Sequence, residues 1–173
     1  MQIILWLALV IVAASAATAA VSGQPILEAL PPGHEGAGGA IVAGKGKCLT
    51  CHRVQNAGSR YGPDLTDIGA LRTSDQLKAA LLDPDAEILP ENRTYRVVTR
   101  DGAATVGRLL NHDTFQVLMR DMKDQLRSFQ KSDLREHGFV EGSPMPSFRM
   151  TLSPQELADV IAYLGTLKGV AAQ

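Results

Sequence analysis

Apolar positions change their spacing along the chain, and each change predicts a different element. Ile3 to Ala14 is an uninterrupted apolar run of 12 residues, followed by the small-residue stretch Ser15 to Ala20. That length suits the h-region of a signal peptide, with Ala17-Thr18-Ala19 as an A-x-A cleavage site. It is short for a membrane span of about 20 residues, and no Lys or Arg precedes it. Residues 1–19 are therefore read as a signal peptide, with an uncleaved anchor as the alternative. From Ser22 to Gly39, eight of 18 residues are Gly or Pro, which predicts a flexible leader over residues 20–39. Ala40 to Lys47 reads as a short helix despite Gly44 and Gly46.

Thr73 and Gln76 form a capping-box pattern, Leu77 and Leu81 share a helical face, and Asp83-Pro84 ends the helix. Then the period falls to two. Tyr95, Val97 and Thr99 alternate, Asp101-Gly102 is a hairpin signal, and short apolar runs follow at Val106–Leu110, Phe115–Met119 and Leu126–Phe129. Asp133 to His137 reads as a short helical turn. Helical spacing returns after the rigid loop Ser143-Pro144-Met145-Pro146. Ser153-Pro154-Gln155-Glu156 is a second capping box, Leu157, Val160, Ile161 and Leu164 follow on one face, and Gly169 lies past the end.

Composition changes this picture in two places. Aromatic residues make up only 5% of the chain, little large apolar mass for a core. The net charge of −1 argues against a nucleic-acid partner and gives no strong steering field. Between Glu91 and Glu141, nine basic and eight acidic residues give a dense but balanced surface. This segment reads as a small antiparallel β module with a solvated outer face.

The candidate chemistry sits at Cys48-Leu49-Thr50-Cys51-His52, which holds both cysteines of the chain. C-x-x-C-H is the pattern of covalent c-type haem attachment. On a helical turn the two thiols lie on one side, within reach of the two haem vinyl groups. His52 then offers its imidazole to the iron from that side. Other readings of C-x-x-C remain: a thioredoxin-like pair needs a βαβ setting, a structural zinc needs two further ligands at motif spacing, and a simple disulfide needs neither. His34, His112 and His137 are scattered along the chain.

Tyr61-Gly62-Pro63-Asp64-Leu65, shortly downstream, supplies a G-P-x-L pattern. Together with C-x-x-C-H this resembles the class I cytochromes c, over about Gly38 to Gly169. The resemblance implies a mainly α fold around one covalently bound haem c and its iron. It implies that the Pro63 carbonyl accepts a hydrogen bond from the second ring nitrogen of His52. It also implies a C-terminal helix, Pro154–Lys168, crossing the helix ahead of the haem motif. In that family the sixth iron ligand is often a Met-Pro shortly before the last helix. Transferred here it is Met145, held between two prolines, with Met150 next; Met119 and Met122 lie in or beside the β segment.

His52 and Met145 stand 93 positions apart, and removing the 51 residues of Glu91–Glu141 leaves 42, an ordinary gap for one helix and two loops. The expected organisation is thus a cytochrome c domain over residues 40–90 and 142–173, with residues 91–141 as an inserted β module. It is similar to haem-binding domains found with exported bacterial dehydrogenases. The expected function is single-electron transfer in the periplasm, from such a dehydrogenase to a terminal oxidase or another cytochrome, without enzymatic turnover. Nucleic acid is not a partner, and a membrane is one only if the N-terminal segment stays uncleaved. The alternatives are a haem enzyme or gas sensor with an open sixth site, and a docking subunit of a redox complex.

Overall fold

Two apolar cores organise the chain, one helical and one made of strands. The computed structural model describes residues 29–169. The predicted signal peptide and the first part of the predicted leader lie outside them.

The helical core is built from α1 (Glu35–Ala43), α2 (Ile68–Leu71), α3 (Ser74–Leu82) and α4 (Pro154–Thr166). Its interior gathers Val42, Leu77, Leu81, Phe148, Leu157, Val160 and Leu164. Both predicted capping boxes form: the Thr73 hydroxyl accepts from Gln76 N–H at the start of α3, and Ser153 does the same with Glu156 at α4. Each satisfies two amide donors that a helix start leaves without a partner in the helix.

One predicted element moves. The glycine-rich leader becomes helical at Glu35, and the helix expected over Ala40–Lys47 ends at Ala43. The cause is packing rather than propensity. A Cβ on Gly38 would stand 2.0 Å from the carbonyl oxygen of Asp159, and one on Gly33 2.2 Å from that of Ala158. The glycines let α1 and the chain before it lie directly against the backbone of α4. Burial of Val42 then stabilises a helix that the glycines alone would weaken by up to about 1 kcal/mol each.

The second core belongs to β3 (Thr94–Thr99), β4 (Ala104–His112), β5 (Gln116–Asp121), β6 (Leu126–Gln130) and β7 (Leu134–Phe139), after the two-residue strands β1 (Arg53–Val54) and β2 (Ala57–Gly58). The five long strands form one antiparallel sheet in the order β6-β5-β4-β3-β7. Tyr95, Val97, Val117, Met119 and Leu134 are buried together on it. The predicted hairpin turn carries Gly102 at φ 93°, where only glycine is relaxed.

Two expectations are corrected here. Four α-helices stand beside a five-stranded sheet among the described residues, so the fold is mixed helix and sheet rather than mainly α. Of the helical turn expected at Asp133–His137, residues 134–137 belong instead to β7, which pairs Tyr95 with Phe139 and Val97 with His137. A 3-10 turn at Lys131–Asp133 leads into it.

The sheet segment begins and ends at one place. Val140 N–H donates to Thr94 O at 3.0 Å, so the chain leaves the sheet where it entered. Next to this junction the Tyr61 ring, from the loop after the cysteine motif, is 5% exposed, and Thr94 is 6% exposed.

Candidate haem site

Gly44 and Gly46 end α1 by returning their N–H groups to Ile41 O, at 3.2 and 2.8 Å. Lys47 then takes a left-handed conformation with φ 52° and starts the 3-10 turn Cys48–Thr50. Within it Cys51 N–H and His52 N–H both donate to Cys48 O, at 3.1 and 2.8 Å. This winding brings Cys48, Cys51 and His52 around one turn of chain. Both thiols are free and half-buried. Burial raises the pKa of the Cys48 thiol above its ordinary value.

The strands β1 and β2 fold the following segment back, and Gly62 N–H donates to Cys51 O at 2.7 Å. That contact delivers Pro63 to the imidazole: His52 Nδ1 lies 2.8 Å from Pro63 O. A carbonyl only accepts, so Nδ1 carries the proton and donates, and the Nε2 lone pair is left for a metal. Burial pushes the His52 pKa below its ordinary value, against a smaller upward pull from the Pro63 carbonyl. The ring is thereby kept in the neutral form that ligation requires. Gly62 is needed here because a Cβ would come within 3.0 Å of Nδ1 and 3.1 Å of Cε1.

The methionines separate by burial. Met119 is fully buried in the sheet core and Met122 is exposed in a turn. Met150 is 90% exposed. Met145 packs on the helical core that Cys48, Leu49 and Leu65 also touch. Its loop is tied to the end of α3 from both sides, by Ser143 N–H to Asp85 Oδ1 at 2.6 Å and by Ser147 Oγ to Leu82 O at 2.6 Å.

The other readings of the cysteine pair find less support. The motif is preceded by a helix and followed by a two-residue hairpin, with no βαβ unit around it. No group of three or more His, Cys, Asp or Glu side chains among the described residues is placed to hold a metal ion. The donor set present suits haem c: two free thiols, a neutral imidazole oriented by a carbonyl, and a thioether on the same apolar core.

Sequence reasoning missed Tyr61, which is buried beside Thr94 and whose pKa is raised first of all by burial. A lone Tyr before Gly-Pro carries no signal of that kind. It also missed a group of arginines, described below, that lie far apart in the sequence.

Residues 37–114 match the family model for cytochrome c. The match covers 78 of the 173 residues, from α1 through the cysteine motif and Gly62-Pro63 to the end of β4, and stops short of Met145. No curated protein matches the chain. The match, over less than half of the chain, supports haem-based electron transfer and redox proteins as partners. The chain's cofactor is haem c, covalently bound and carrying iron.

Proposed function

We propose that the chain is an exported monohaem electron carrier, taking electrons from a periplasmic dehydrogenase and passing them to a respiratory acceptor. The observation that carries this reading is a carbonyl-oriented His52 next to a motif whose Cys48 shares an apolar core with Met145. Haem c, when bound, supplies a one-electron iron couple. Cys48 and Cys51 hold it through thioether bonds, and His52 offers Nε2 as the nitrogen ligand. Pro63 keeps the proton on Nδ1 and fixes the ring plane, which sharpens the donor strength of the other nitrogen. Met145 would supply a thioether as the second iron ligand, which raises the potential relative to a nitrogen ligand. With His52 and Met145 as its ligands the iron would have no site for small substrates, and only electrons would pass.

The β module serves contact with the redox partner. Its own core leaves Phe115 exposed at one end of the β5–β6 hairpin and Met122 and Leu126 exposed at the other, at 72%, 58% and 60%. Exposed apolar side chains among dense balanced charge suit a specific docking face.

Absorption of the ferrous protein with and without carbon monoxide tests the reading. The native spectrum should not respond to the gas, Met145→Ala should bind it, and Met150→Ala should behave as native. Ready binding by the native protein would favour an enzyme or gas sensor instead.

A further inference from the structure

Behind the ligating histidine lies a cleft of about 180 Å³, bounded by Arg53, Arg60, Gly62, Asp64, Arg108 and Arg120. Arg53 comes from β1 and Arg60 from the loop after β2, and Arg108 and Arg120 from neighbouring strands of the sheet. The sheet register sets Arg108 directly opposite Arg120. Like charges directly opposite on a sheet repel one another. Asp124 meets Arg120 at 2.9 Å, but the Arg120 Nε is buried with no hydrogen-bond partner. An unpaired buried donor on a charged group is costly. Arg53 is directed at neutral groups, the carbonyl of Gln55 and the side chain of Asn56. The other carboxylate at the cleft is Asp64, held below its usual range first by the Thr66 hydroxyl and further by the Arg53 and Arg60 charges. Four guanidinium groups thus face two carboxylates, and one buried N–H points at nothing.

We propose that this cleft binds a free dianionic oxyanion of the phosphate class, and that its occupancy lowers the reduction potential of the haem. Guanidinium forks match the oxygens of such an anion in bidentate fashion. The anion would relieve the Arg108–Arg120 repulsion. The cleft lies on the Nδ1 side of His52, since its lining residue Gly62 sits where a Cβ would come within 3.0 Å of Nδ1, whereas Nε2 is the nitrogen left for the iron. It therefore faces an external ligand rather than the haem. Negative charge behind the histidine favours the more positive ferric state. By reciprocity, the ferric protein binds the anion more tightly than the ferrous one. The link to potential rests on the haem reading above; the binding site does not.

The test is calorimetric titration of the haem-loaded protein with inorganic phosphate at constant ionic strength set with chloride, in both oxidation states. One saturable site is expected, severalfold tighter in the ferric form. Arg60→Gln and Arg108→Gln should each weaken it by about tenfold, the loss expected for one charged contact. Arg135→Gln, on β7, should leave it unchanged. Haem content is fixed beforehand by the pyridine haemochrome spectrum. A missing haem would contradict the haem reading. A haem-bearing protein that showed no saturable phosphate binding, equal affinity in both states, or affinity indifferent to Arg60 and Arg108 would overturn the proposal.

Discussion

The helical and sheet halves of this chain solve the same packing problem in opposite ways. The helical half closes on backbone contact: Gly33 and Gly38 lay α1 on α4, and the cysteine motif follows directly from the end of α1. Its position is fixed by hydrogen bonds that side chains cannot relax away, such as Gly62 N–H to Cys51 O. The sheet half closes on side chains, with Val97, Val117 and Met119 fully buried. Its ends meet at Thr94 and Val140, and it touches the helical half chiefly through Tyr61 and the arginine cleft. The candidate ligands all lie in the half with little freedom to move. The exposed apolar side chains and the arginine pair lie in the half that can vary. Chemistry that needs fixed geometry is thereby separated from surface that needs only a shape and a charge.

The sharpest way to break this contrast is at the cysteines. Replacing both Cys48 and Cys51 by alanine should abolish covalent haem and leave the helical half poorly folded, because its largest apolar body is gone. Haem surviving acid–acetone extraction on that variant would be incompatible with the site. Circular dichroism of the same variant should keep a strand signal from the sheet half while helical signal falls.

Gly38→Val comes next in size. The added carbons have no room beside the Asp159 carbonyl, so α1 must lift from α4 at a cost of about 3 kcal/mol or more. Thermal unfolding followed at the Soret band would record the loss. A matched change at Gly138 in β7, where a Cβ meets nothing within 4 Å, should cost little.

Acid gives the smaller, graded effect. Asp159 accepts from His34 N–H and from Gln155 Nε2, at 2.8 and 2.9 Å, and the His34 contact is the main cause that lowers its pKa. Glu156, hydrogen-bonded to Lys45 and capping α4, is held down to about 2. Both folded-state values lie below the unfolded ones, so their stabilisation is full above the ordinary carboxylate range and is lost as pH falls through the folded values. The α1–α4 contact should therefore weaken progressively from about pH 4.5 towards 2. A melting temperature flat across that interval would show that these carboxylates do not hold the contact.

What was legible in the sequence follows the range of the interactions responsible. The helices α3 and α4 announce themselves because a capping box is a bond between residues three apart. Cys48, Cys51 and His52 are legible for the same reason, and G-P-x-L places Pro63 beside them. The strand β7 was not legible: Asp133–His137 has no alternation, and its strand character comes from pairing with β3, about 40 residues earlier. The start of α1 was hidden because glycine reads as linker until the surface it packs against is known. Met145 and Met150 differ in sequence only by flanking prolines, and in the structure by whether the side chain reaches the core. The arginine cleft was concealed because Arg108 and Arg120 meet only through the sheet register, and Arg53 and Arg60 reach them only through the fold.

The division of labour between the halves is open to one direct measurement. Residues Glu91–Glu141 are deleted and bridged with a short Gly/Ser linker, a join made feasible by the Val140–Thr94 hydrogen bond that brings the two ends together. The visible spectrum of the product, and its rate of reduction by the native donor, are then recorded. The account predicts a low-spin His/Met haem spectrum that is retained, with slow electron uptake. Loss of haem ligation on deletion would contradict it, because the sheet half would then be part of the haem fold itself.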